Sequence, residues 1–258
     1  LQFAAPIVLL TASTQLLTHI DKLIIKTQFD ASTLGVYAAA FALGRTVLDV
    51  LANGFNTDGF VKVVQLFKEG HVNKASEWLS VQLAMIVAAL DPSYIALSMA
   101  SHDIAALFFP QGYANTFADV VPIIGLGAAL FNVKNFVFDN VFHLYLKNSW
   151  QLVPVLAGAA VAIGATLYFS PLGTVNESAV LYVAGAVASL TISIWLSSRL
   201  MRVRVAWKSL AGISAIGGLC LFASLGVNWA LAQSLPLTRL CAQVLIGGLG
   251  VCSSLALV

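Results

Sequence analysis

Three stretches of this sequence set charges and amides along one face of otherwise lipid-soluble chain. At about 100° per residue, Thr11, Gln15, Thr18 and Lys22 fall within a narrow arc, flanked by His19 and Lys26. Arg45, Asp49, Asn53 and Asn56 form a second stripe. Asn132, Asn135, Asp139 and His143 form a third, and Lys134 points to the other side of that helix. Ionisable groups surrounded by hydrocarbon need a partner or a water-filled cavity. Three such stripes in the first four apolar segments imply either a hydrated cavity or a shared buried network.

Local readings stand beside the functional ones. Arg45 and Asp49 are four residues apart, as are Asp58 and Lys62, and either pair can neutralise itself on its own helix. For Asp58 and Lys62, near a helix end where lysine snorkels, self-neutralisation is the expected arrangement. For Arg45 and Asp49 the stripe runs on to Asn53 and Asn56, so a cavity-lining role stays open. Asp91-Pro92 is a further candidate, because proline removes a backbone donor and disturbs the preceding turn. A carboxylate at such a break is either a proton or sodium site or a locally hydrogen-bonded side chain. His102 and Asp103 read as interfacial.

The elements that must position these residues follow from composition. Hydrophobic residues make up 59% of the 258-residue chain and charged ones 9%, and the mean hydropathy is +0.91. Soluble domains carry roughly a quarter charged residues, so this is a polytopic membrane protein. Apolar runs of about 20 residues mark eight spans, at 4–26, 33–56, 78–100, 119–146, 150–169, 178–198, 209–229 and 236–258. The expected fold class is an all-α, polytopic transmembrane helical bundle, since open sheet edges are not tolerated in lipid and the alternating segments of a barrel are missing.

Basic residues set the orientation. Lys62, Lys68, Lys74, Lys147, Arg199, Arg202, Arg204 and Lys208 fall in the connections after spans two, four and six, which are therefore cytoplasmic, as are both chain ends. The connections 27–33, 109–117, 170–177 and 228–236 face outward. Leu1 is not preceded by a basic leader and no small-residue cleavage site follows, so the first span is not read as a signal peptide and the chain is expected to continue N-terminally. Cys220, Cys241 and Cys252 lack metal or redox spacing, and the four histidines form no HExxH pair. No metal or cofactor is assigned. The net charge of +2 belongs to loop bias, and nucleic acid is excluded as a partner. Gly125-Leu126-Gly127 and Gly247-Gly248-Leu249-Gly250 follow no strand and fit close helix packing better than nucleotide loops. From Trp150 onward the spans are nearly chargeless and rich in small residues, the composition of a scaffold or a lipid-facing groove.

A family resemblance enters with two segments. Leu17-Thr18-His19-Ile20-Asp21-Lys22-Leu23-Ile24-Ile25, a short outward turn, then Leu34-Gly35-Val36-Tyr37-Ala38-Ala39-Ala40-Phe41-Ala42-Leu43 resembles the helix pair opening a repeat in Wzx-type polysaccharide flippases. Those belong to the multidrug/oligosaccharidyl-lipid/polysaccharide exporter superfamily. Ile104 to Tyr113, with Phe108-Phe109-Pro110-Gln111-Gly112 at its heart, followed by Val121-Pro122-Ile123-Ile124-Gly125-Leu126, resembles the outward loop and next helix of that family's C-terminal half. The likeness covers most of residues 1–200. It implies a C-terminal-lobe-like six-helix bundle over 1–200 with two additional helices over 201–258. It also implies a missing N-terminal lobe in cis or a second copy as partner, within a bacterial inner membrane.

The implied activity is alternating-access flipping of an undecaprenyl-pyrophosphate-linked oligosaccharide, not an enzyme reaction. Mapped onto this chain, Lys22 and Arg45 are the cations expected to meet the pyrophosphate, since an ammonium supplies a point charge and a guanidinium a fork matching phosphate oxygens. Gln15, Asn53, Asn56, Asn132 and Asn135 dilute that charge, and Asp49, Asp91 or Asp139 are the candidates for ion coupling. A multidrug or metabolite cation antiporter of the same superfamily is the alternative, though it would prefer an acidic, aromatic cavity. A membrane-embedded glycosyltransferase or ligase ranks lower, because the outward loops are short and nearly chargeless.

Overall fold

The computed structural model describes residues 12, 15, 19, 22, 23, 25–169, 173–203, 207–231 and 234–258. Among these, seven helices are long and apolar enough to cross a membrane. They are α1 (Ala31–Lys68), α2 (Val72–Phe108), and α3 (Gln111–Val133), which runs through a π-helical turn (Lys134–Phe138) into α4 (Asp139–Leu144) as one span. After a 3-10 turn at Asn148–Gln151 come α5 (Leu152–Phe169), α6 (Val175–Ser198), α7 (Trp207–Ala230) and α8 (Pro236–Leu255). The first of the eight expected spans lies largely outside the described residues, although Ile25 joins the apolar cluster around Tyr37, Phe41, Val121 and Ile124. The fold class is the expected all-α polytopic bundle.

Helix ends obey local chemistry. Asp30 caps α1, accepting from the Thr33 hydroxyl and from the Thr33 backbone N–H at 3.2 Å. Those two donors, the hydroxyl foremost, hold the Asp30 carboxyl below its ordinary range. At the far end Gly70 takes φ +83°, and His71 N–H reaches Leu66 O at 2.9 Å while Gly70 N–H reaches Phe67 O at 3.1 Å. This is the glycine-terminated close that turns α1 directly into α2. The outward connection expected over 109–117 shrinks to Phe109–Pro110, because α3 begins at Gln111; the fixed proline dihedral is compatible with an immediate helix start. α2 continues unbroken through Pro92.

The helices α1, α2 and α3 pack against one another; α5 and α6 lie on the α3 side, and α7 and α8 on the α2 side. Water exclusion drives little between helices in lipid, so close approach and polar links decide their pairing. A Cβ at Gly44 would stand 3.1 Å from Val121 O and 3.4 Å from Gly125 N, so α1 and α3 cross nearly backbone to backbone. α8 seats on α2 in the same way: a Cβ at Gly247 would stand 2.7 Å from Ala96 Cβ, and one at Gly250 would overlap Cys220 Sγ and stand 2.7 Å from Pro92 Cβ.

A measurable consequence concerns Cys220, which is buried while Cys241 and Cys252 are exposed. In a background with Cys241 and Cys252 changed to Ser, Gly250→Ala is expected to cost about 1–3 kcal/mol of packing and to raise maleimide labelling of Cys220 several-fold. Gly248→Ala, whose Cβ meets nothing within 4 Å, should leave labelling at the parent rate. Equal rates in the two variants would refute the seating.

Candidate functional site

The stripe on α1 stays partly open. Arg45 Nε donates to Asp49 Oδ2 at 2.8 Å, and the two side chains keep 23% and 36% of their surface exposed. Asn132 Nδ2 donates to the other oxygen, Asp49 Oδ1, also at 2.8 Å. The close crossing at Gly44 brings α3 near enough for that bond. Asp49 is thus neutralised by an intrahelical cation and clamped by a neighbouring helix, which combines the local and the network readings of this pair. Beyond it Asn53, Thr46 and Thr57 are exposed and Asn56 is half-buried.

Two cations converge over one aromatic ring on this face. Lys22 Nζ lies 3.8 Å from the Phe41 ring centroid and 2.9 Å from His19 Nδ1. Arg45 Cζ lies 6.0 Å from the same centroid and 5.7 Å from that of Phe131. An aromatic face attracts cations, so Phe41 gathers both groups on one side of the bundle. Gln15 and His19 are exposed on the same segment; Thr11, Thr18 and Asp21 lie outside the described residues.

Further along α1, amides tie three helices together. Asn56 Oδ1 accepts from Gln82 Nε2 and from Asn140 Nδ2, each at 2.9 Å. The same two groups donate to Phe136 O, at 3.0 and 2.6 Å. Phe136 sits within the π-helical turn, where Asp139 N–H bonds back to Lys134 O, and the widened turn leaves Phe136 O open to side-chain donors. Gln82 escaped the sequence reading. Its signal was an amide inside the apolar run of α2, which requires a buried partner.

The third stripe divides. Asn132 joins Asp49, whereas Asp139 accepts from Lys134 Nζ at 2.6 Å, in a pair with side-chain exposures of only 7% and 1%. Ser193 Oγ donates to Asp139 Oδ1 at 2.5 Å, Lys134 Nζ also reaches Asn135 Oδ1 at 3.1 Å, and it lies 5.1 Å from the Phe131 centroid. Gln151 Nε2 bonds Asp139 O at 3.3 Å and stands 2.9 Å from His143 Nε2. Lys134, expected to point away from this stripe, is therefore its closest charge partner. The reason is the π-helical turn: one extra residue in a turn rotates all that follows by about 100° relative to a regular helix. α6 also supplies chemistry that its composition concealed, through a serine row at 189, 193 and 197 spaced four apart and fully or nearly buried.

The remaining carboxylates lie elsewhere. Asp91 turns toward α7, against the bare backbone of Gly217 and near Cys220, and its Oδ2 is buried without a hydrogen-bond partner. It does not join the stripes. Asp103, close to the end of α2, is buried against the protein and pairs with Arg239 of α8 at 2.8 Å. Asp58 and Lys62 do not neutralise one another; the ion pairs among the described residues are Arg45–Asp49, Lys134–Asp139 and Arg239–Asp103.

No protein-family model matches this chain, and no curated protein matches it in sequence. In three dimensions it is similar to the solved structure of the lipid II flippase MurJ in its inward closed conformation, with a TM-score of 0.76 over 92% of this chain and 12% identical residues. The chain spans 51% of that chain's length. The likeness shows a shared helical fold across half of that molecule.

Proposed function

We propose, from a fold shared with half of a lipid II flippase, that this chain is one lobe of a transporter that flips an isoprenoid-pyrophosphate-linked oligosaccharide by alternating access. The observation that carries this reading is the convergence of Lys22 and Arg45 over Phe41 on a partly open polar face. A pyrophosphate needs cations where water is scarce, and release requires that they be few. The Arg45–Asp49 pair is balanced in charge and held by Asn132, so Lys22 leaves the face net cationic, which favours an anionic headgroup over the organic cations of a multidrug antiporter. Gln15, Asn53 and Asn56 continue the polar stripes away from the cations and suit sugar hydroxyls, while Asn132 and Asn135 act by holding Asp49 and Lys134.

Residues 1–200 serve as the lobe and 201–258 as two added helices in this proposal, with a second lobe in cis or a second copy facing the polar stripe. The membrane is a bacterial inner membrane, and both ends of the chain are cytoplasmic. Ion coupling falls to Asp91 before Asp139 or Asp49, since the latter two have their charge fixed by cations and Asp91 has an unpartnered buried oxygen. The test is reconstitution of the full-length protein in vesicles carrying fluorescent undecaprenyl-pyrophosphate-oligosaccharide. Transfer of label between leaflets, inhibited by excess unlabelled lipid-linked sugar, is the expected result. Efflux of organic cations without lipid transfer would establish the antiporter instead.

A further inference from the structure

Away from the polar stripe, a cavity of about 670 Å³ opens between α1 and α2, lined by Gly54, Phe55, Asp58, Lys62, Trp78 and Met85 among others. Its wall is apolar except at one end, where Asp58 and Lys62 stand exposed and not bonded to each other. Four residues apart on a helix, these two groups have the reach to pair, yet both remain available to something outside the chain. Their depth suits a headgroup. Lys62 precedes the α1 terminus at Lys68 by a length of about 9 Å at 1.5 Å per residue, in a helix whose 38 residues far exceed the roughly 20 that cross hydrocarbon. Above and below, Val50 and Val61 are 67% and 66% exposed, as lipid-facing side chains are, and Trp78 brings an aromatic of the kind that settles at the membrane boundary.

We infer that this cavity is a binding site for a zwitterionic phospholipid with an amine-bearing headgroup, its phosphate on Lys62, its ammonium on Asp58, and one acyl chain lying past Gly54 toward Met85. Two opposite charges side by side match the two charges of a phosphoethanolamine. An anionic headgroup such as phosphoglycerol satisfies Lys62 but leaves Asp58 facing a phosphate. Gly54 is the residue that keeps the chain path clear, since a Cβ there would meet nothing within 4 Å. A larger side chain would fill the cavity without displacing any neighbour.

The site is tested in the full-length protein with Trp78 as the sole tryptophan, Trp150, Trp195, Trp207 and Trp229 being changed to Phe. Phosphatidylethanolamine brominated on its acyl chains is expected to quench Trp78 at several-fold lower mole fraction than brominated phosphatidylglycerol. Gly54→Leu should abolish that difference while leaving helicity by circular dichroism unchanged. Asp58→Asn should bring phosphatidylglycerol up to the level of phosphatidylethanolamine, and Lys62→Gln should weaken quenching by both. Identical quenching by the two lipids in the parent protein would overturn the site and leave ordinary surrounding lipid. Absence of quenching by either would overturn it in favour of a protein surface covering the cavity. Neither result bears on flipping, which is read by a different assay.

Discussion

Lys134→Ala is expected to lower the stability of the folded protein by about 3–5 kcal/mol, the loss that follows when one member of a buried ion pair is removed and the other stays charged without compensation. Lys134 is 1% exposed and lies 2.6 Å from Asp139 Oδ2, inside a segment that crosses lipid. With the ammonium gone, Asp139 retains the Ser193 hydroxyl on its other oxygen, which is too little for a carboxylate at that depth. Thermal unfolding in detergent, followed by far-ultraviolet circular dichroism, reads the loss. The double variant Lys134→Met with Asp139→Leu removes both charges at similar volume and should recover most of the stability, since well-packed apolar replacements of a buried pair are often neutral. A single variant as stable as the parent would show that the pair contributes nothing to the joint between α3, α4 and α6.

Arg45→Ala carries the second large effect, on transport rather than on folding. A hydrogen bond to a charged group contributes about 1.5–3 kcal/mol, and each 1.4 kcal/mol is about tenfold, so flipping of the lipid-linked substrate should fall roughly 10- to 100-fold. Membrane abundance should hold, because Arg45 is partly exposed and its partner Asp49 keeps Asn132. Arg45→Lys keeps the charge without the fork and should retain an intermediate rate. Combining Arg45→Ala with Lys22→Ala should abolish transport, since both cations stand over the Phe41 ring. Parental rates in the double variant would remove the cationic face from the mechanism.

The stripes were legible to the extent that a regular helix holds. Arg45, Asp49, Asn53 and Asn56 share α1, whose 38 residues run without interruption, and their common face was read correctly from spacing alone. The third stripe was read as one face but splits at the π-helical turn, because a wheel drawn at constant angle carries no information about an inserted residue. Gln82 and Ser193 were missed for a different reason. Neither belongs to a charged stripe, Gln82 being a single amide and Ser193 one of a row of small serines, and the significance of each lies in a partner 54 positions distant in the chain, Phe136 for Gln82 and Asp139 for Ser193.

Composition by itself determined that the chain lives in lipid and that its backbone must be helical, since hydrocarbon tolerates no unpaired peptide group. It also determined which helix faces lipid cannot solvate. Only the tertiary structure decided how each charge is satisfied: Asp49 by Arg45 and Asn132, Asp139 by Lys134 and Ser193 and Asp103 by Arg239, while Asp58 and Lys62 stand exposed with no ion-pair partner among the described residues. Pairing depends on distances of a few ångströms between helices far apart in sequence, and those distances are set by where glycines such as Gly44 and Gly250 let backbones meet.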